Sequence, residues 1–145
     1  MRWVMTAFLF AFAAAAWGNN VGLIKVARGT VHLERDGQRL PATVGMPVRQ
    51  SDTLVTGADG SVGVTFSDNS LLSAGPGSVL VIERYAFDST THAGQFDASL
   101  KKGTLAVISG KMVKQSPDAM RVRTPVSIMG VRGTEFVVKV TDPGS

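Results

Sequence analysis

Two glycines, Gly130 and Gly133, flank Val131 and Arg132 in the stretch TPVSIMGVRGTEFVV, residues 124–138. A Gly-x-x-Gly turn that carries a cation could hold a phosphate, clamp an RNA backbone, or let the chain reverse between two strands. A Walker loop needs a longer spacing between its glycines and a lysine after the second, and this stretch has neither. The RNA-binding Gly-x-x-Gly loop joins two helices, whereas the flanks here are β-formers with a proline. The stretch therefore favours a backbone turn over a nucleotide or nucleic-acid site.

Groups that could carry enzymatic or metal chemistry are scarce. The chain has no cysteine and two histidines, His32 and His92, and no carboxylates accompany them at metal-ligand spacing. Ser99 and Lys102 match a Ser-x-x-Lys pattern, but their flanks are strand-like, and on a strand the two side chains point to opposite faces. The acidic turns of the chain lack the spacing of a calcium-binding loop. We predict no catalytic residues, no metal site and no cofactor.

The first eighteen residues have the pattern of a secretory signal. Arg2 supplies a short positive region, residues 3–16 carry no charge, and Ala16-Trp17-Gly18 places small residues around a cleavage site before Asn19. The alternative is an uncleaved anchor, but the apolar run is shorter than the ~20 residues that a spanning helix needs. We expect residues 1–18 to be a signal peptide and residues 19–145 to form one domain. The domain would be periplasmic or secreted, with no stable membrane insertion after cleavage.

Charge is unevenly distributed along the chain. Residues 19–100 hold six Lys/Arg and eight Asp/Glu, whereas residues 101–145 hold eight Lys/Arg and three Asp/Glu. A basic face can meet an acidic protein, an anionic polymer or lipid head groups, and a solvated strand face is the structural alternative. The export signal argues against nucleic acid as the partner.

The pattern of the mature chain is that of short strands. Apolar and polar residues alternate, no segment keeps a helical period over ~11 residues, and turn signals recur about every 8 to 12 residues. The turns are Asp36-Gly37, Asp59-Gly60 and Asp68-Asn69. Residues 88–98 predict the longest loop, and residues 100–115 predict further strands. The spacing is typical of an all-β single domain, either a β-sandwich or a short β-solenoid, and the similarity of its turns slightly favours the solenoid.

Within residues 124–138, the geometric interpretation is a strand, a sharp corner and a second strand. Gly130 and Gly133 can take positive φ without strain, so they would let strands at 126–129 and 134–140 meet. Arg132 and Glu135 lie three apart across this corner. We expect Arg132 to fasten the corner by pairing with Glu135 or by bonding turn carbonyls, in preference to contacting a ligand.

The segment VRTPVSIMGVRGTEFVV also resembles the signature of the periplasmic domain of the FecR family, in which Thr-Pro-Val leads to Gly-Val-Arg-Gly-Thr and an acidic-aromatic pair. The matching residues are Thr124, Pro125, Val126, Gly130, Gly133, Glu135 and Phe136. Upstream, residues 45–80 resemble the strand entry and turns of that family, and LKKGTLAVISGKM resembles its later strand pair. The resemblance spans residues 21–141, which is nearly the whole mature chain.

The resemblance implies a sensing domain that receives a signal from the periplasmic domain of an outer-membrane transporter. The regulators of the family carry an anti-sigma region and a membrane helix before this domain, so we expect only their sensing or binding half to carry over here. The expected partner is an envelope protein that adds a strand at an open sheet edge. The candidate contacts are Arg121, Arg123 and Lys139, with Arg132 as a further one. The alternative is a self-associating structural component of the envelope or cell surface that assembles through the same edges.

Overall fold

The computed structural model describes residues 20–131 and 135–140. Strands account for 61% of these described residues and helix for 4%, which confirms the prediction of an all-β single domain. The predicted signal peptide, Arg132 and Gly133 lie outside the described residues. The elements are β1 (Asn20–Arg28), β2 (Val31–Arg35), β3 (Gln38–Pro41), β4 (Pro47–Arg49), β5 (Thr53–Thr56), β6 (Ser61–Phe66), β7 (Leu71–Ala74), β8 (Val79–Phe87), β9 (Gly94–Ile108), α1 (Lys111–Gln115), β10 (Met120–Arg123), β11 (Ile128–Gly130) and β12 (Glu135–Val140).

These strands form one curled sheet that β9 divides into two halves. Residues 94–102 of β9 pair with β8, whereas residues 103–108 pair with β12. The A half runs β4-β1-β6-β7-β9-β12, and the B half runs β3-β2-β5-β8-β9-β10-β11. Neighbouring strands are antiparallel except β9 and β10, which are parallel. From the sequence, a β-sandwich and a short β-solenoid were both possible. In the structure, the chain passes repeatedly between the two halves of the curled sheet, and both halves contribute to one hydrophobic core.

Three aromatic rings link the two halves. Phe66 from the A half lies 5.5 Å from Tyr85 and 4.7 Å from Phe96, both of the B half, measured between ring centroids. Tyr85 and Phe96 meet edge to face at 5.0 Å. Aromatic pairs at such separations contribute about 0.5–1.5 kcal/mol beyond the area that they bury. The cluster therefore stabilises the closure of the curl.

The phenol of Tyr85 also binds the loop between β6 and β7. Its oxygen lies 2.7 Å from Ser67 Oγ and accepts a hydrogen bond from the Asp68 backbone N–H at 3.0 Å. Burial raises the pKa of Tyr85 to about 12. Tyr85 is the only tyrosine of the chain, so its ionisation can be followed without interference from a second phenol.

We expect Tyr85 to make the folded domain less stable in strong alkali. The pKa of an unfolded tyrosine is about 10, so the unfolded chain releases this proton first and stability is lost between pH ~10 and ~12. The phenolate absorbance of the folded protein should titrate near pH 12, and the loss of stability should be shallower in Tyr85→Phe. A native titration midpoint near pH 10 would contradict this.

The turns expected from the sequence are confirmed. Asp36-Gly37 joins β2 to β3 with φ of 53° and 77°, the left-handed pair that a two-residue hairpin needs. Asp59-Gly60 lies between β5 and β6, and Asp68-Asn69 between β6 and β7. Within residues 20–131 and 135–140, no helix has the length and apolar character needed to span a bilayer.

The predicted long loop at residues 88–98 is wrong over its second part. The turn covers residues 88–93 and is closed by Asp88 N–H to Ala93 O at 2.8 Å. β9 begins at Gly94, and Phe96 and Ala98 lie in the core. The alternation of Phe96 and Ala98 with Gln95 and Asp97 is too short, beside the polar residues 88–93, to stand out in the sequence.

The prediction of strand throughout residues 100–115 is wrong at its end, where α1 begins at Lys111. The main-chain oxygen of Asp68 accepts from Lys111 N–H at 2.8 Å, and its carboxylate accepts from Met112 N–H at 3.2 Å. Asp68 is 44 positions before Met112 and fully buried. A carboxylate that is distant in sequence thus accepts a hydrogen bond from a backbone N–H of the first helical turn. The residues near Lys111 alone therefore could not indicate this helix.

Candidate functional site

β10 and β11 form a hairpin at the end of the B half, which we call the basic hairpin (residues 120–130). β10 pairs with β9 and β11, and β11 has no further partner strand within the described part of the chain. On β10, Met120 and Val122 are buried, whereas Arg121 and Arg123 are exposed, which confirms the predicted alternation. The buried pair therefore holds two guanidinium groups on the outside of the sheet, beside an open edge.

The Thr-Pro-Val segment is the turn of this hairpin and not a strand. Thr124 N–H donates to Ser127 O at 2.8 Å. Thr124 Oγ1 accepts from Val126 N–H at 3.3 Å and from Ser127 N–H at 3.1 Å. Pro125 suits the position after Thr124 because its φ is already fixed near the value that a turn requires. The strand expected at 126–129 therefore begins only at Ile128.

The tip and edge of the basic hairpin expose apolar side chains. Val126 is 91% exposed and Ile128 is 58% exposed. Ile128 lies directly opposite Arg123 in the β10–β11 register. Exposed apolar side chains beside arginines are frequent on surfaces that bind another protein.

A shallow depression of about 320 Å³ lies beside the hairpin turn. Its lining residues come from β9, β10 and the turn: Ser99, Lys101, Arg123, Thr124 and Pro125. Arg123 Nε also lies 3.7 Å from Glu83 Oε1, and both side chains are exposed, so the pair is screened by water and weak. Lys101 and Arg123 place two cations at one depression, where they can bind a carboxylate or another anionic group.

Sequence reasoning missed Ser99 and Lys101. Both flank the buried Leu100 on β9, so their shared face could be inferred from alternation. Their closeness to Arg123 depends on the parallel pairing of β9 with β10, in which Ser99 lies opposite Arg123. The local pattern does not contain that register.

The structure separates the predicted contact residues. Arg121 and Arg123 lie together on the basic hairpin, whereas Lys139 is exposed on β12 in the A half. Arg132 lies outside the described residues. The sequence therefore grouped cations that belong to two different edges.

The predicted corner is wrong at Gly130. This glycine is an ordinary residue of β11 opposite Arg121, and its φ is not in the left-handed region. A Cβ added to it would meet nothing within 4 Å. The segment instead crosses from β11 of the B half to β12 of the A half, where Glu135 and Phe136 begin the strand. Gly133, the other glycine of the corner, is outside the described residues.

The described residues offer little catalytic chemistry. No group of three His, Asp or Glu side chains within them could hold a metal ion. His32 lies 3.4 Å from Glu34, and His92 stacks on Phe87. A depression of about 610 Å³ beside β1 has Lys25 as the one titratable residue of its described lining. Ser99 lies on a strand, as expected, so Ser-x-x-Lys has no helical face.

A comparison with protein families gives one match. The model of the FecR protein family matches residues 52–145, which is more than half of the chain and includes the basic hairpin and β12. No curated protein and no solved structure matched the chain.

Proposed function

The chain belongs to the FecR protein family, and from this premise we propose that it is a non-enzymatic binding and sensing module of the bacterial cell envelope. The family is regulatory and signalling rather than enzymatic, and it is envelope-associated. We propose further that residues 1–18 export the domain to the periplasm or beyond the cell, where its partner is another envelope protein.

The observation that carries the proposal is the basic hairpin. Within the described residues, no strand lies on the outer side of β11, so its backbone donors and acceptors there can pair with an added strand. Arg121 and Arg123 stand beside that edge, and Val126 and Ile128 add exposed apolar area. These features suit an extended segment that carries acidic and apolar side chains. The periplasmic domain of an outer-membrane transporter is the partner of this kind that the family resemblance implies.

β11 has only three residues, so strand addition alone would supply few hydrogen bonds. Recognition would therefore depend on the cations and on the depression beside the turn, where Lys101 joins Arg123. Electrostatic recognition of this kind sets the rate and selectivity of association more than its final strength. Binding should accordingly weaken as salt rises.

We expect a photo-crosslinking residue at position 126 to capture an envelope protein in cells, because Val126 stands free at the hairpin tip. The double variant Arg121→Ala/Arg123→Ala should reduce the yield of that adduct on the order of tenfold. Mass spectrometry of the adduct identifies the captured protein, and circular dichroism checks that the variant is folded.

Two controls make this result specific. Position 44 is also exposed, on the loop between β3 and β4, and should not give the same adduct. The variant Arg28→Ala/Arg39→Ala removes the same charge from exposed residues elsewhere and should leave the adduct unchanged. An adduct that survives loss of Arg121 and Arg123 would contradict the proposed site. An adduct of the chain with itself would favour the structural alternative.

A further inference from the structure

β12 is the open edge of the A half. It pairs with β9 through six residue pairs, from Glu135 opposite Ile108 to Val140 opposite Gly103. No strand of residues 20–131 lies on its other side. Every second N–H and C=O of β12 therefore faces away from the sheet, available to another strand.

The outer face of β12 carries two opposite charges at equal distances from a central valine. Glu135, Val137 and Lys139 share the outer face, and Val137 is 69% exposed between the two opposite charges. Phe136 and Val138 alternate with them on the inner face, where Val138 is buried. When two such strands pair antiparallel about the valine, the acid of each strand lies opposite the base of the other.

Neighbouring strands extend the apolar character of this face. Leu71 and Ile108 are each 41% exposed and lie opposite one another on β7 and β9. Ile108 in turn lies opposite Glu135 on β12. An apolar pair thus lies on this face next to the Glu135 end of β12.

We propose that β12 pairs antiparallel with β12 of a second copy of the chain, about a two-fold axis through Val137. Glu135 of each copy then lies opposite Lys139 of the other, and the two Val137 side chains meet at the axis. On the inner face, Phe136 of each copy lies opposite Val138 of the other. Opposite charges directly across an antiparallel pair stabilise it, and like charges destabilise it.

Other registers lose this match. A slip by one residue would turn the outer face of one copy to the inner face of the other. A slip by two places Val137 opposite Glu135 or opposite Lys139, which removes both ion pairs. A slip by four places two glutamates or two lysines opposite each other. The charges that protect the edge from unspecific pairing thus also select one specific pairing.

The inference goes beyond the proposed function and does not depend on it. It uses the edge of the A half, whereas the proposed partner binds the basic hairpin at the edge of the B half. A dimer through β12 would leave Arg121 and Arg123 of both copies free, and it would join two A halves into one continuous sheet.

The test is a charge exchange. Glu135→Lys and Lys139→Glu should each be monomeric at concentrations where the unaltered protein dimerises, because each puts like charges at both pairs. Their dissociation constants should rise on the order of tenfold or more. An equimolar mixture of the two variants should form a one-to-one heterodimer, since every Lys then faces a Glu. Sedimentation velocity at low salt measures all species.

Lys25→Glu is the matched control, because it makes the same charge change at an exposed position on β1 and should leave the dimer intact. The inference is overturned if the unaltered protein stays monomeric up to about 1 mM, if both single variants still dimerise, or if the mixture stays monomeric. If a variant fails to fold, hydrogen exchange of the backbone amides in the unaltered protein provides the test. The outward amides of residues 135–140 should exchange more slowly as concentration rises, and no change would overturn the inference.

Discussion

Replacing Asp52 with alanine is expected to lower the free energy of unfolding by about 3 to 5 kcal/mol. The carboxylate is buried, with 1% exposure, and accepts from Arg35 Nε at 2.8 Å and Arg35 Nη2 at 2.7 Å. This hydrogen bonding raises the pKa of Arg35 above its ordinary value. Without Asp52, a partly buried guanidinium would keep its charge and lose its carboxylate partner. Urea denaturation followed by circular dichroism measures the loss.

The large effect also reflects how many strands meet at Asp52. Its carboxylate accepts from Arg49 N–H at 2.7 Å, at the end of β4, while Arg35 comes from β2. Its backbone oxygen accepts from Ile82 N–H of β8 at 2.9 Å. One side chain therefore holds the A-half strand β4 against the B half.

An exposed ion pair provides the control. Arg39 and Glu34 lie 3.8 Å apart at the surface, and Arg39→Ala should cost less than about 0.5 kcal/mol. The double variant Arg35→Ala/Asp52→Ala should lose less than the sum of its single variants, because the second change removes a charge that is already unpaired. A loss below about 1 kcal/mol for Asp52→Ala would contradict the buried-pair account.

Gly103→Ala is expected to destabilise the domain by about 3 kcal/mol or more. Gly103 has a φ of +96°, which a residue with a side chain rarely adopts. An added Cβ would also collide with Ser78 Oγ and Cα and lie 2.6 Å from Ser78 Cβ. Gly103 stands on β9 where the strand passes from the B half to the A half. Relieving the collision would shift both halves.

Two other glycines separate the causes of this effect. Gly37 has a φ of +77° with open space around it, so Gly37→Ala should cost about 1 to 2 kcal/mol from the backbone alone. Gly130 has neither constraint, and Gly130→Ala should change stability by less than about 0.5 kcal/mol. Thermal and urea melts of the three variants should rank in that order. Equal losses at Gly103 and Gly37 would show that the approach of Ser78 is unimportant.

The parts of the fold that follow local rules could be predicted from the sequence. The alternation of Met120 and Val122 with Arg121 and Arg123 identifies a strand with one buried face, because successive side chains point to opposite sides. Asp36-Gly37 predicts a tight hairpin, because both residues tolerate positive φ. These features depend on neighbouring residues alone.

The missing parts depend on residues that are distant in sequence. Asp52 appears in the sequence as one charge among many, and its partner Arg35 is 17 positions earlier. The helix at Lys111 relies on Asp68, and the depression beside Arg123 relies on Lys101 of another strand. Strand pairing brings such residues together, and periodicity contains no information about which strands pair.

The repeated passage of the chain between the two halves also determines when the domain can fold. β7, β8, β10 and β12 all pair with β9, so neither half is complete until residues 94–108 are available. While the chain is synthesised from its N-terminus, its core therefore stays incomplete until β9 has been made. Pairings between distant strands form slowly, on a scale of about milliseconds to seconds. The domain should consequently fold in one late, cooperative step, because the earlier strands β7 and β8 lack one of their pairing partners until β9 is present.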